Sequence, residues 1–151
     1  MRCYSAAVLI LSLVHTTSGS LNAQEDLKTL QGTWNVTFIE AGGVRTPAGK
    51  ISKGLQFIFK DDQLKMISAE DKNGSELTIK LDPSHKPKAI DLTWKEAPFK
   101  NKTALGIYAF EGKTLKLCFP DDPDEDSTRP KTFTMKKGSL ARVFWLERAK
   151  K

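Results

Sequence analysis

Past the first two dozen residues, apolar and polar side chains alternate almost without a break, beginning in the stretch LQGTWNVTFIEAGG, Leu30 to Gly43. A period of two marks a strand with one face on a core and one in water, and helical periodicity is nearly absent. The alternation predicts strands at Thr33–Glu40, Leu55–Lys60, Leu64–Ala69, Glu76–Leu81, Lys88–Lys95, Thr103–Phe110, Thr114–Phe119, Lys131–Lys136 and Ala141–Glu147. Turn signals separate them: DDQ, DKNGS, DPSHKP, EAPFKN, EGK, PDDPDEDSTRP and KKGS. Asp26–Gln31 reads as one short helical turn ahead of the first strand.

Connections this short cannot carry the chain across a sheet to a parallel neighbour, so successive strands are expected as antiparallel hairpins in an up-and-down meander. The apolar faces agree from strand to strand: Trp34, Val36 and Phe38; Leu55, Phe57 and Phe59; Leu77, Ile79 and Leu81; Ile90, Leu92 and Trp94; Leu115, Leu117 and Phe119. Closing such a meander buries every face and removes unpaired edges. The expected class is therefore all-β, an up-and-down antiparallel barrel of eight or nine strands. A β-sandwich is the competing architecture.

The connections alternate between two ends. AGGVRTPAGKISKG, DKNGS, EAPFKN and PDDPDEDSTRP fall at one end, and the shorter DDQ, DPSHKP, EGK and KKGS at the other. That asymmetry describes a mouth and a floor, with the helical turn lying across the floor beneath Trp34.

The N-terminus changes the setting. Met1-Arg2 precedes the apolar run AAVLILSLV, Ala6 to Val14, and then HTTSGSLNA. The run is too short to span a bilayer and has the flanks of an export signal. Residues 1–23 are expected to be removed, with cleavage after Ser20 or Ala23, which leaves 24–151 as one domain without a transmembrane segment. Export would take Cys3 with it and leave Cys118 without an internal disulfide partner. Cys118 reads as a half-buried small residue, with an intermolecular disulfide or a reactive thiol as the sharper alternatives.

Composition adds less. The 151 residues are 39% hydrophobic and 28% charged, as expected of a folded globular chain. The net charge of +6 falls to +5 when Arg2 is lost, and its lysines are scattered along the strands and turns. With export, this speaks against nucleic acid as a partner and leaves an anionic polymer or lipid surface open.

Catalytic and metal signatures are missing. His85 is the one histidine beyond the leader, so neither a His/Cys zinc site nor a serine or cysteine triad is expected. AGGVRTPAGK lacks the ending of a phosphate-binding loop. No paired carboxylates stand on an apolar face. Asp121–Asp126 holds five acids in six residues, but the glycine and glutamate of a helical calcium loop are replaced by Ser127 and Phe133. A solvated acidic turn is the default. The sequons at Asn35, Asn73 and Asn101 carry weight only in a eukaryotic secretory setting. The chain is not read as an enzyme, and no cofactor is expected.

Two resemblances follow from particular residues. Gly32-Thr33-Trp34 after a helical turn, with an arginine in the closing strand, resembles the lipocalin-like signature. The resemblance implies a barrel floor of Gly32, Trp34 and an arginine packed over the indole: Arg148 if the closing strand runs antiparallel to the first, Arg142 if the strand count differs by one. From Leu30 to Arg148, the segments LQGTW, LDPSHKPKAIDL, LGIYAFEGKTLKLCF and RPKTF are similar to a functionally uncharacterised family of small secreted domains abundant in planctomycetes. That resemblance implies an exported lipocalin-like barrel and no activity.

Two functions stay open on the residues. The first is a binding module of the cell envelope or extracellular space for a small apolar or amphipathic ligand entering past Ala41–Gly54. Trp34, Phe38, Phe57, Phe59, Trp94, Tyr108, Phe119 and Trp145 are candidates to line its cup, with Phe57, Phe59, Trp94 and Tyr108 foremost. Ala104 and Gly106 would leave it room if their face points inward. The alternative is a barrel filled by its own side chains, which just fit inside eight strands, contacting a partner through its outer surface.

Overall fold

A computed structural model describes residues 18–124 and 128–150. The apolar run Ala6–Val14, and Glu125 to Ser127 of the acidic loop, lie outside the described residues. Among the described residues no helix is long and apolar enough to cross a membrane.

The chain forms helix α1 (Ser18–Leu30) and strands β1 (Gly32–Ala41), β2 (Val44–Pro47), β3 (Gln56–Lys60), β4 (Gln63–Ile67), β5 (Ser75–Asp82), β6 (Ala89–Trp94), β7 (Thr103–Glu111), β8 (Thr114–Pro120) and β9 (Ala141–Arg148). They make one nine-stranded antiparallel sheet in which β1 also pairs with β9. Setting β2 aside, eight strands close a barrel, as expected from the hairpin pattern, and not a sandwich. One edge of β1 is shared: its first half pairs with β3 and its second half with β2. The other edge runs along β9 from Trp34↔Arg148 to Ala41↔Arg142.

Three expectations change. The ladder between β1 and β9 slips between Val36 and Phe38. Thr37 Oγ1 donates to the carbonyl oxygen of Trp145 there, at 3.1 Å. A bulge inverts the alternation beyond it, so Ile39 joins the interior core while Phe38 packs outside against Arg45. Secondly, Lys131–Lys136 forms no strand. β8 pairs directly with β9 and β9 with β1, so no place is left between them for this segment, and it lies on the outside. The turn KKGS, expected at the floor, therefore belongs to one long mouth-side excursion between β8 and β9. Thirdly, the helical element is not one turn but thirteen residues long.

Trp34, Val36, Phe57, Phe59, Leu64, Leu77, Ile90, Leu92, Leu115, Leu117, Phe119, Phe144 and Leu146 belong to the buried interior core. Val, Ile, Phe and Thr fit this half-buried pleated surface. At the mouth, a single 3-10 turn (Ala48–Lys50) lodges Ala48 in the same core. A second, smaller core lies on the outer face. Ile107, Cys118 and Val143 sit at matched register on β7, β8 and β9, and Met135, Ala141, Phe133 and Trp145 pack with them. Residues 128–140 thus form a strap across the outside of the barrel.

Candidate functional site

The floor is built at the junction of α1 and β1. Leu30 is wholly buried, and its carbonyl oxygen accepts the Trp34 indole N–H at 2.7 Å. Gly32 has φ +106, a conformation that side-chain-bearing residues rarely adopt. A Cβ there would also stand 3.4 Å from the Arg148 guanidinium. Because β9 runs antiparallel to β1, Arg148 and not Arg142 meets the indole, 4.4 Å from the ring centre. Its two terminal nitrogens donate to the carbonyl oxygens of Gln31 and Thr29, which the end of a helix leaves free. Arg142 lies at the mouth instead, paired with the Asp121 carboxylate. Burial raises the pKa of Asp121, and the Arg142 charge opposes that rise.

Phe57, Phe59, Trp94 and Tyr108 are all buried in the interior core. They are spread along its length rather than around one chamber. Phe59 faces Gly32 across the ladder near the floor. Trp94 ends β6 at the mouth, edge-on to Phe99 at 5.8 Å. Tyr108 reaches down to α1, its hydroxyl donating to Asp26 Oδ2 at 2.6 Å, while Lys88 Nζ donates to the same oxygen at 2.7 Å. Burial and the Asp26 charge push the Tyr108 pKa far up. Phe57 alone of the four joins an aromatic cluster, with Phe144 at 5.2 Å and Phe119 at 6.5 Å, the last two stacked at 4.9 Å.

The face of Ala104 and Gly106 does point inward, yet Gly106 leaves no room. A Cβ there would stand 2.8 Å from the Cys118 carbonyl oxygen and 3.0 Å from Phe119 Cβ. A recess of about 210 Å³ opens at the mouth beside the cluster, bounded by Leu55, Phe57, Met66, Ile67 and Phe144. Trp145 is on the outside with Phe38. Arg45 and Lys116 each stand 3.9 Å from the centre of its ring, and its buried indole N–H has no partner among the described residues.

The larger recess, about 590 Å³, lies on the strap, bordered by residues including Arg129, Lys131, Thr134, Met135, Lys136 and Lys137. Arg129 fixes where the strap begins. It donates to the carbonyl oxygens of Gly106 at 2.6 Å and Ile90 at 3.2 Å, and to Asp91 Oδ1 at 2.6 Å. Met135 and Phe133 then cover Cys118. Cys118 is fully buried rather than half-buried, and burial pushes its thiol pKa up to about 12, with the Glu40 charge adding to the effect. The thiol form is inert as a nucleophile at neutral pH. His85 sits in the exposed floor turn between β5 and β6, its ring Nδ1 3.0 Å from the Pro87 carbonyl oxygen.

The acidic loop shows two of its carboxylates held by cations: Asp121 by Arg142, and Asp124 by Lys102 at 2.8 Å. Asp122 Oδ1 accepts the Asp124 backbone N–H at 2.8 Å. Among the described residues, no group of three or more metal-capable side chains converges.

The strap site was not expected from alternation. One signal for it does exist in the chain: Ile107, Cys118 and Val143 are apolar at outward positions on three adjacent strands, where polar residues would serve a solvated face. No family model, curated protein or solved structure matches this chain.

Proposed function

We propose that this chain is an exported, non-catalytic interaction module, a barrel filled by its own side chains that meets other molecules on its strap-covered outer face. The observation carrying this reading is the interior packing. Phe119 and Phe144 stack, Phe57 lies tilted against both, and Leu64, Ile90, Leu92, Tyr108, Leu115 and Leu117 are wholly buried in the same core. An interior filled by close-packed side chains leaves no space for a guest. The strap recess, at about 590 Å³, lies outside the barrel and falls in the range of small-molecule sites, about 300–1,000 Å³. Export rests on the leader-like residues Met1 to Ala23 and on the resemblance to small secreted domains. Native mass spectrometry of protein purified from its own organism tests the reading. The polypeptide mass alone is expected, and a small apolar molecule co-purifying at full occupancy would overturn it.

The mouth recess favours a second reading, an apolar ligand held against Phe57, Leu55, Met66 and Phe144. At about 210 Å³ it falls below the usual range of such sites, about 300–1,000 Å³, so it ranks second.

A further inference from the structure

We infer that the strap recess binds an acidic polysaccharide, with its sulfate or carboxylate groups held by Lys131, Lys136 and Lys137. This rests on the reading of the strap face as the contact surface and names the chemistry it takes.

The argument starts from charge. From Thr128 to Leu146 the sequence contains no aspartate or glutamate, yet it carries Arg129, Lys131, Lys136, Lys137 and Arg142. Among the described residues, seven other cations are held by carboxylates: Lys65 and Lys95 share Glu76, and Lys88 has Asp26, Lys102 Asp124, Lys116 Glu111, Arg129 Asp91 and Arg142 Asp121. None of these pairs involves Lys131, Lys136 or Lys137, and all three border the same recess. Three like charges around one concavity repel each other, and anionic groups placed among them relieve that repulsion.

The rest of the lining selects among anions. Pro130, Met135 and Ala141 supply apolar surface, and Thr132, Thr134 and Ser139 supply hydroxyls. A sugar ring presents C–H faces and hydroxyl edges, and its acidic substituents project outward, so it complements a wall of this mixed kind. No aromatic side chain lines the recess, and the guanidinium of Arg129 is engaged with Ile90, Gly106 and Asp91, whereas protein partners are usually held by aromatic and arginine anchors. Lysine, a compact charge on a flexible stem, accommodates acidic groups at varying positions along a chain. The recess is held in shape before any ligand arrives, by Arg129 at its start and by Met135 in the outer core, which lowers the ordering cost of binding.

The test is a nitrogen-15 NMR titration with a heparin hexasaccharide at about 0.15 M salt, where screening suppresses long-range attraction. Amide shifts confined to residues 128–141 are expected. The variant Lys131→Glu/Lys136→Glu/Lys137→Glu, all at exposed positions, should bind roughly tenfold or more weakly, a change of about 1.4 kcal/mol or more. The control Lys60→Glu/Lys72→Glu/Lys113→Glu removes the same charge at exposed lysines elsewhere and should bind as the parent does. Equal weakening in both variants, shifts centred off the strap, or no hexasaccharide binding would overturn the inference. Preference for anionic lipid vesicles over the hexasaccharide would overturn it as well. Each of these leaves the filled barrel standing, whereas a co-purifying apolar molecule would remove the reading beneath it.

Discussion

Arg148 stands over the Trp34 indole at 4.4 Å while donating to the carbonyl oxygens of Thr29, at 2.5 Å, and Gln31, at 2.7 Å. One side chain thereby joins the last strand, the first strand and the end of α1. Gln31 extends the junction, since its side chain accepts the Asp61 backbone N–H at 2.7 Å and donates to the Asp61 carbonyl oxygen at 3.1 Å.

Arg148→Lys keeps the charge but loses the planar fork that serves both carbonyls and the ring. A loss of about 2 kcal/mol in stability is expected, combining charged hydrogen bonds with a cation–π contact at an exposed site. Urea unfolding should show a lower midpoint with an unchanged slope.

Gly106→Ala places a methyl where the Cys118 carbonyl oxygen is 2.8 Å away and Phe119 Cβ 3.0 Å. Overpacking of this kind costs about 1–3 kcal/mol. Stabilisation by the substitution would mean that β7 and β8 can give way at this point without cost, and thermal unfolding decides between the two outcomes.

These two sites show what alternation reveals and what it conceals. Gly32 and Trp34 at the floor follow from pattern and hairpin connectivity, because period two and short turns leave few topologies, whereas the choice of Arg148 over Arg142 depends on the strand count, which the pattern leaves open. The bulge at Thr37 is invisible to a period of two, so Phe38 and Ile39 exchange sides. Phe133 and Met135 alternate with polar neighbours as a strand would, and an extended strap satisfies the same pattern without ladder hydrogen bonds. Val44–Pro47 is too short to register as a strand, and α1 has little apolar face beyond Leu27 and Leu30. The crowding at Gly106 depends on distances between neighbouring strands, which no linear pattern carries.

Met135→Ala should expose the thiol beneath the strap. Met135 packs in the outer core with Cys118, which is wholly buried. Truncation costs about 2–5 kcal/mol at a core site, less where the surroundings collapse. In native buffer, Ellman's reagent is expected to leave the parent unlabelled and to react with the variant at least several-fold faster. Labelling of the parent at the same rate would show that the strap does not cover Cys118.

Alkaline pH should destabilise the fold. Cys118 has an ordinary value of 9.0 and is raised to about 12 in the folded chain, and Tyr108 is also raised above its ordinary 10.0. In both cases the unfolded chain gives up its proton first as pH climbs. The folded state binds more protons in the window, so stability falls with rising pH, by up to about 1.4 kcal/mol per pH unit for each group. The loss begins near pH 9 and is absent below it. Cys118→Ala should flatten the decline from its onset, and Tyr108→Phe should flatten it only above pH 10. Urea midpoints across pH 8–12 measure both.

The central claim is a lumen occupied by side chains, and diffraction from xenon-pressurised crystals tests it most directly, because xenon enters dry apolar voids. No xenon is expected inside the barrel between Leu64, Leu92, Leu117 and Phe119. A well-occupied xenon site there would contradict the account and return the barrel to the role of a container.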